Sequence, residues 1–145
     1  MTDSPASADV PDVPEAELSL VAVVVPDYDA GIAFFTAIPG MGLREDSPST
    51  TNDGHPKRWV VVGPDGGGTG LLLAQADGGD QEAVIGRQVG GRVGFFLRVR
   101  DFDTALSALK VAGATIHREP RDEPYGRVVV FEDPWGNRWD LLGPI

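Results

Sequence analysis

The sequence contains no cysteine. This absence excludes disulfide bonds, thiolate metal sites and a cysteine nucleophile. A chain of 145 residues can bury roughly 68–70% of the surface that its unfolded state exposes, so one domain can fold without covalent cross-links. The lack of cysteine agrees with a cytoplasmic location, which we expect for this protein.

Basic residues and long apolar segments are also scarce. Twelve Lys and Arg stand against 22 Asp and Glu, which gives a formal net charge of -10. Nucleic acids and anionic membrane surfaces require basic patches, so we predict neither as a partner. The longest apolar run, LVAVVV, is too short to cross a membrane. The acidic charge first indicates solubility, and it is compatible with attraction of a cationic small molecule.

The first 17 residues are polar, acidic and rich in proline. They lack the basic and apolar regions of a signal peptide. This composition predicts a disordered tail over residues 1–17, followed by a single domain over residues 18–145.

Two segments of this domain resemble each other, about half the chain apart. They are VPDYDAGIAFF in the first half and VRDFDTALSAL in the second. In each, an alternating apolar run ends at an aspartate and is followed by apolar residues at helical spacing. Asp27 and Asp101 suit helix N-caps, and Gly40 and Gly113 stand where helices commonly end.

Three short strand candidates follow each predicted helix. The pattern therefore predicts two βαβββ modules, over residues 18–75 and 92–142, joined by a glycine-rich linker over residues 76–91. A four-stranded sheet with one helix has one covered face and one open face. We predict an α+β fold in which the tandem modules form a shared concave mixed sheet, with the helices on the outside and a ligand pocket in the concave space.

The arrangement resembles the vicinal oxygen chelate superfamily, which includes glyoxalase I, bleomycin-resistance proteins and extradiol dioxygenases. The resemblance is carried by VPDYDAGIAFFTAIPGMGLRED and by FEDPWGNRWDLL, which is similar to the family's DPdGN turn and last strand. It covers nearly all of residues 18–142. It implies the fold described above, whereas the superfamily supports many chemistries on this one scaffold.

Metal-binding members of the superfamily carry their ligands at four strand positions. The resemblance places these positions at Leu20, Leu72, Gly94 and Asp140 of this sequence. Catalytic zinc takes three protein ligands, and non-haem iron takes two histidines and a carboxylate. Only Asp140 has an oxygen donor, so we predict no cofactor and keep Asp140 as a weak candidate ligand for a divalent metal.

Strand alternation predicts which side chains share a face with these four positions. Gly94 should leave room beside Phe96 for a flat ligand. The residues of the opposite parity should pack under the helices, and they are Val21, Val23, Val25, Phe95, Leu97, Trp139 and Leu141. We expect Trp59 and Tyr125 near the mouth of the pocket. The other cavity-lining candidates are Leu20, Ala22, Val24, Leu72, Ala74, Gly94, Phe96, Arg98, Arg138, Asp140 and Leu142.

The charged candidates leave alternatives open. An inward carboxylate needs a partner, so we expect Arg98 or Arg138 to neutralise Asp140, with direct ligand contact as the alternative. His55 lies in a polar loop and is expected to be solvated. His117 is expected at the rim or surface, with an acid–base role in the cavity as the alternative. No catalytic residue is assigned.

These features favour a metal-free protein that binds a small, mostly apolar or aromatic molecule, including a cationic one, as in the bleomycin-resistance branch. One alternative is a lyase, isomerase or dioxygenase of the same superfamily, with or without a divalent metal. Another is an interaction domain with a vestigial cavity. The resemblance also implies a homodimer, since members commonly complete or cap their pockets across a two-fold interface.

Overall fold

The structure is a computed structural model that describes residues 14–145. Most of the predicted tail, residues 1–13, therefore lies outside the described residues. Residues 14–19 are described and form neither helix nor strand. None of the described helices is long and apolar enough to cross a membrane.

The first module has one helix and four strands, joined in a sheet of order β1-β4-β3-β2. Strand β1 is parallel to β4, and the other pairs are antiparallel. The elements are β1 (Leu20–Val25), α1 (Tyr28–Thr36), β2 (Met41–Thr50), β3 (Pro56–Pro64) and β4 (Gly70–Gln75).

The second module repeats this arrangement after a short linker helix, α2 (Gly79–Val84). Its sheet has the order β5-β8-β7-β6, with β5 parallel to β8. The predicted α+β fold with two tandem βαβββ modules is confirmed. The elements are β5 (Val93–Arg98), α3 (Phe102–Ala112), β6 (Thr115–Glu123), β7 (Gly126–Glu132) and β8 (Arg138–Gly143).

Both main helices begin directly after the aspartates that were predicted to cap them. The side chain of Asp27 accepts a hydrogen bond from the backbone N–H of Ala30, and that of Asp101 accepts one from Thr104. Helix α3 ends at Gly113, whose φ of 104° is left-handed and suits glycine. Helix α1 ends earlier than predicted, at residue 36, so Gly40 lies in the following turn instead of capping the helix.

One hydrophobic core holds the two modules together. Phe35 on α1 lies 5.6 Å from Trp139 on β8, measured between ring centroids. Most of the residues predicted to pack under the helices belong to this core or contact it. Phe95 and Leu97 are partly buried and pack against the core, and Val21 is the one predicted residue that does neither. The strand residues within the core are Val23, Val25, Met41, Val60, Val62, Leu73, Val129, Phe131, Trp139 and Leu141.

The linker packs against the first module. The Gln88 side chain donates to the carbonyl of Ala22 at 2.9 Å and accepts from the N–H of Val24 at 3.0 Å. Strand β1 is an edge strand, so these bonds satisfy backbone groups that would otherwise be unpaired. A Cβ atom on Gly86 would lie 1.8 Å from the carbonyl oxygen of Trp135, so only glycine fits where the linker meets the second module.

Asp133 organises the turn between β7 and β8 and is only 3% exposed. Its Oδ1 accepts from the backbone N–H groups of Trp135, Gly136 and Asn137. Its Oδ2 accepts from the Asn137 side-chain amide and from the indole N–H of Trp139. Burial raises the pKa of Asp133 above its usual value, while these hydrogen bonds act in the opposite direction.

We expect Asp133→Asn to lower the free energy of unfolding by about 2–4 kcal/mol. An amide has one acceptor oxygen, and its NH2 group would face N–H donors, so buried donors would lose their partner. Urea unfolding at neutral pH measures the change. The control is Asp103→Asn in the exposed first turn of α3, where we expect a change within about 0.5 kcal/mol. Equal stability of the two variants would contradict this role for Asp133.

Candidate functional site

Each sheet has a face that its helix does not cover, and we call these the first and second open faces. Cross-strand partners share a face, so the register assigns residues to them. On β1, β3 and β4 the first open face carries the apolar residues Leu20, Ala22, Val24, Trp59, Val61, Leu72 and Ala74, while β2 adds the polar Glu45 and Ser47 opposite Val61 and Trp59. The second is strongly charged and carries Phe96, Arg98, His117, Arg121, Val128, Val130, Glu132, Arg138, Asp140 and Leu142.

The predicted cavity residues therefore fall into two groups, one on each sheet. Leu20, Ala22 and Leu72 lie side by side on the first open face, with Trp59 two residues along β3 from Val61. On the second open face, Phe96 pairs with Asp140. The remaining predicted residues there are Arg98 and Arg138, while Tyr125 is exposed in the β6–β7 turn.

Two cavities among residues 14–145 include residues of the open faces. The larger, of about 500 Å³, is lined by the first module and the linker, including Trp59, Leu72, Ala74 and His55. The smaller, of about 350 Å³, lies between the modules near Met41. Neither joins the two open faces, so a common concave cavity stays a prediction.

The prediction of free space beside Gly94 is wrong. Strand β5 has an irregular register around this residue, between Val93 and Phe95. A Cβ atom on Gly94 would lie 2.4 Å from a methyl carbon of Val89. The linker side chain therefore takes the space that glycine leaves. Phe96 nevertheless remains 64% exposed and accessible to a ligand.

Asp140 does not have the expected ion-pair partner. Within residues 14–145, neither Arg98 nor Arg138 forms a salt bridge with it, and Arg138 instead lies 3.7 Å from a carboxylate oxygen of Glu132. Partial burial raises the pKa of Asp140, and the positive charge of Arg121 acts against this rise. Arg138 does not reach Asp140 because the β7–β8 register places Arg138 directly opposite Glu132.

His117 belongs to the second open face. It shares a cross-strand row with Val130, Asp140 and Phe96. Its Nε2 lies 2.6 Å from Oε2 of Glu132, and its side chain is 38% exposed. The sequence predicts a rim or surface position for His117, and its pattern does not single out Glu132. Their contact depends on the β6–β7 register, which a bulge between His117 and Arg121 sets.

The four positions at which metal-binding family members carry ligands hold one oxygen donor in this chain, at Asp140. Leu20 and Leu72 lie on one sheet, and Gly94 and Asp140 on the other. No cluster of three or more His, Asp or Glu among residues 14–145 has a geometry that could hold a metal ion. One oxygen donor does not meet the needs of a catalytic divalent ion, so the donor set does not fit one.

Comparisons with known proteins agree with this architecture. Residues 17–141 match the family model of the Glyoxalase/Bleomycin resistance protein/Dioxygenase superfamily. The chain is 44% identical over 123 residues to an uncharacterized protein of Shewanella frigidimarina (strain NCIMB 400), covering 84% of this chain and 89% of that protein.

Two solved structures from Streptomyces sp. CB03234 are similar. TnmS3, an antibiotic binding protein, is 28% identical with a TM-score of 0.66, covering 90% of this chain and 97% of its own. A glyoxalase/bleomycin resistance protein is 28% identical with a TM-score of 0.61, covering 86% of this chain and 97% of its own.

We expect Arg121→Gln to raise the pKa of Asp140 further. The guanidinium of Arg121 stabilises the ionised carboxylate, so its removal makes the proton harder to lose. Carboxyl carbon shifts followed by NMR against pH measure the change. The control is Arg100→Gln, in the β5–α3 connection outside the second open face. An unchanged or lower pKa in Arg121→Gln would show that Arg121 does not act on Asp140.

Proposed function

We propose a small-molecule-binding function for this chain, which belongs to the Glyoxalase/Bleomycin resistance protein/Dioxygenase superfamily. The ligand is a mostly apolar or aromatic molecule, and cationic compounds are included in this class. It is held without a catalytic metal, in a cavity that combines the first open face with the second.

The observation that carries the proposal is the exposure of aromatic rings on both open faces. Trp59 is 36% exposed on the first and Phe96 is 64% exposed on the second. Apolar surface left uncovered on the face of a sheet commonly marks a binding surface. Around Trp59, the apolar residues Leu72 and Ala74 line the larger cavity, which is within the usual size range of small-molecule sites.

The similarity to TnmS3 supports the ligand class. That protein is an antibiotic binding protein and is 28% identical to this chain. Net charge gives a second argument, because the chain carries a formal charge of -10 and an acidic surface attracts cations. We therefore propose that the chain sequesters a planar cationic compound, and the experiments below test this binding.

The site is completed by a second copy of the chain. Within one copy, the larger cavity takes lining from the first open face and the smaller one includes Arg98 of the second, and neither of these two cavities includes residues of both faces. A homodimer in which the first open face of one copy meets the second open face of the other would enclose a ligand between an apolar wall and a charged wall.

We expect Trp59→Ala and Phe96→Ala each to weaken binding of the planar cation proflavine by roughly 3- to 10-fold, since an aromatic pair contributes about 0.5–1.5 kcal/mol beyond its buried area. In a purified mixed dimer of the two variants, one site carries both changes and the other carries neither. Binding at wild-type affinity should therefore return at one site per dimer. Fluorescence titration measures both quantities.

Two results would contradict this arrangement. If both sites of the mixed dimer bind as weakly as the single variants, each site is built within one chain. If neither variant affects binding, the open faces are not the binding surface. Val111→Ala, on the exposed surface of α3, is the control and should leave proflavine binding unchanged.

We expect the purified protein to retain far less than one metal ion per chain after incubation with Mn, Fe, Co, Ni or Zn and desalting. The reason is that the family ligand positions supply a single carboxylate, at Asp140. Mass spectrometry of metal content measures this. Near-stoichiometric metal that is lost in Asp140→Ala would instead favour the enzyme alternative, a metal-dependent lyase, isomerase or dioxygenase.

A further inference from the structure

A histidine–carboxylate pair on the second open face has no part in the fold or in the family's metal positions. Nε2 of His117 lies 2.6 Å from Oε2 of Glu132. The same Glu132 oxygen lies 3.7 Å from Nε of Arg138. All three side chains are partly exposed on this face, so a ligand in the proposed cavity can reach them.

The contact with Glu132 fixes where the histidine carries its proton. A carboxylate only accepts hydrogen bonds, so Nε2 of His117 is the donor in this pair. In the neutral imidazole, Nδ1 then carries the lone pair and is an acceptor. Among residues 14–145, the one hydrogen bond of the His117 side chain is the contact with Glu132. In its neutral form, His117 therefore presents an oriented and unused acceptor at Nδ1.

The surroundings of this acceptor are close to balanced in charge. Glu132 lies beside Arg138, Arg121 forms an ion pair with Glu123 at 2.7 Å, and the charge of Arg121 also acts on Asp140. The next residue along the row from His117 is the apolar Val130. A ligand at this position thus meets an apolar surface and a hydrogen-bond acceptor. An uncharged ligand with a hydrogen-bond donor is enough to pair with Nδ1 of His117.

We propose that the ligand carries an acidic hydroxyl, a phenol or an enol, which donates a hydrogen bond to Nδ1 of His117 while its ring lies over Val130. Glu132 is a positioning residue that holds the imidazole in the accepting tautomer. This inference rests on the proposed binding function and narrows its ligand class to hydroxylated aromatic compounds.

The test compares three probes that differ in one group: 2-naphthol, 2-methoxynaphthalene and 2-naphthoic acid. Isothermal titration calorimetry on the full chain gives their affinities. The naphthol should bind roughly 5- to 10-fold more tightly than its methyl ether, as expected for one added hydrogen bond. In His117→Phe this preference should disappear, while the affinity for the ether, which donates no hydrogen bond, should stay within about 2-fold.

Two further variants separate the accepting role of His117 from a structural one. In Glu132→Leu no carboxylate holds the proton on Nε2, so the neutral imidazole can carry it on Nδ1 instead, and the hydroxyl preference should fall although the histidine is intact. His117→Gln restores an acceptor oxygen near the same place and should recover part of the preference. Circular dichroism and unfolding curves confirm that each variant is folded.

Each other outcome counts against the inference. Equal binding of the naphthol and its ether by the wild-type chain would overturn it and leave the binding function standing. A preference that persists in His117→Phe but is lost in His55→Phe would assign the acceptor to the other histidine. Tightest binding of 2-naphthoic acid would indicate an anion held by arginines. No binding of either neutral probe would overturn the inference, while the proposed function would still stand if the chain binds proflavine and would fall if it does not.

Discussion

The rest of the structure depends on the hydrogen bonds that the buried carboxylate of Asp133 accepts. It gathers five N–H donors from a turn of a few residues and from the indole of Trp139. Because that indole is held by its nitrogen, its ring is fixed between Phe95 and Phe131, at centroid distances of 4.5 and 5.7 Å. One buried acidic group thus fixes the position of the aromatic ring around which the second sheet packs.

The same ring joins the two modules. Phe35 of α1 meets Trp139, and Phe34 meets Trp135 of the Asp133 turn at 5.9 Å. The helix of the first module therefore packs on residues that the second module positions. Since the covered faces are occupied in this common core, the opposite faces of both sheets are the surfaces that remain for a ligand or a second copy.

The chemistry of the two open faces is unequal, and this inequality gives the proposed site its character. The first offers an apolar wall around Leu72 and Trp59. The second offers paired charges, one exposed ring at Phe96 and the acceptor of His117. An apolar wall supplies binding free energy through burial, whereas oriented polar groups supply specificity because leaving them unpaired is costly.

The sequence by itself determined the two-module organisation, the helix starts at Asp27 and Asp101, and the face to which most strand residues belong. These features follow from hydrophobic period, capping and turn chemistry, which act over a few residues. Only the tertiary structure decided that Val89 fills the space at Gly94, that Arg121 is the charge near Asp140, and that Glu132 meets His117. Those contacts depend on the path of the linker and on bulges that shift strand register, and a shift of one residue changes every partner across a sheet.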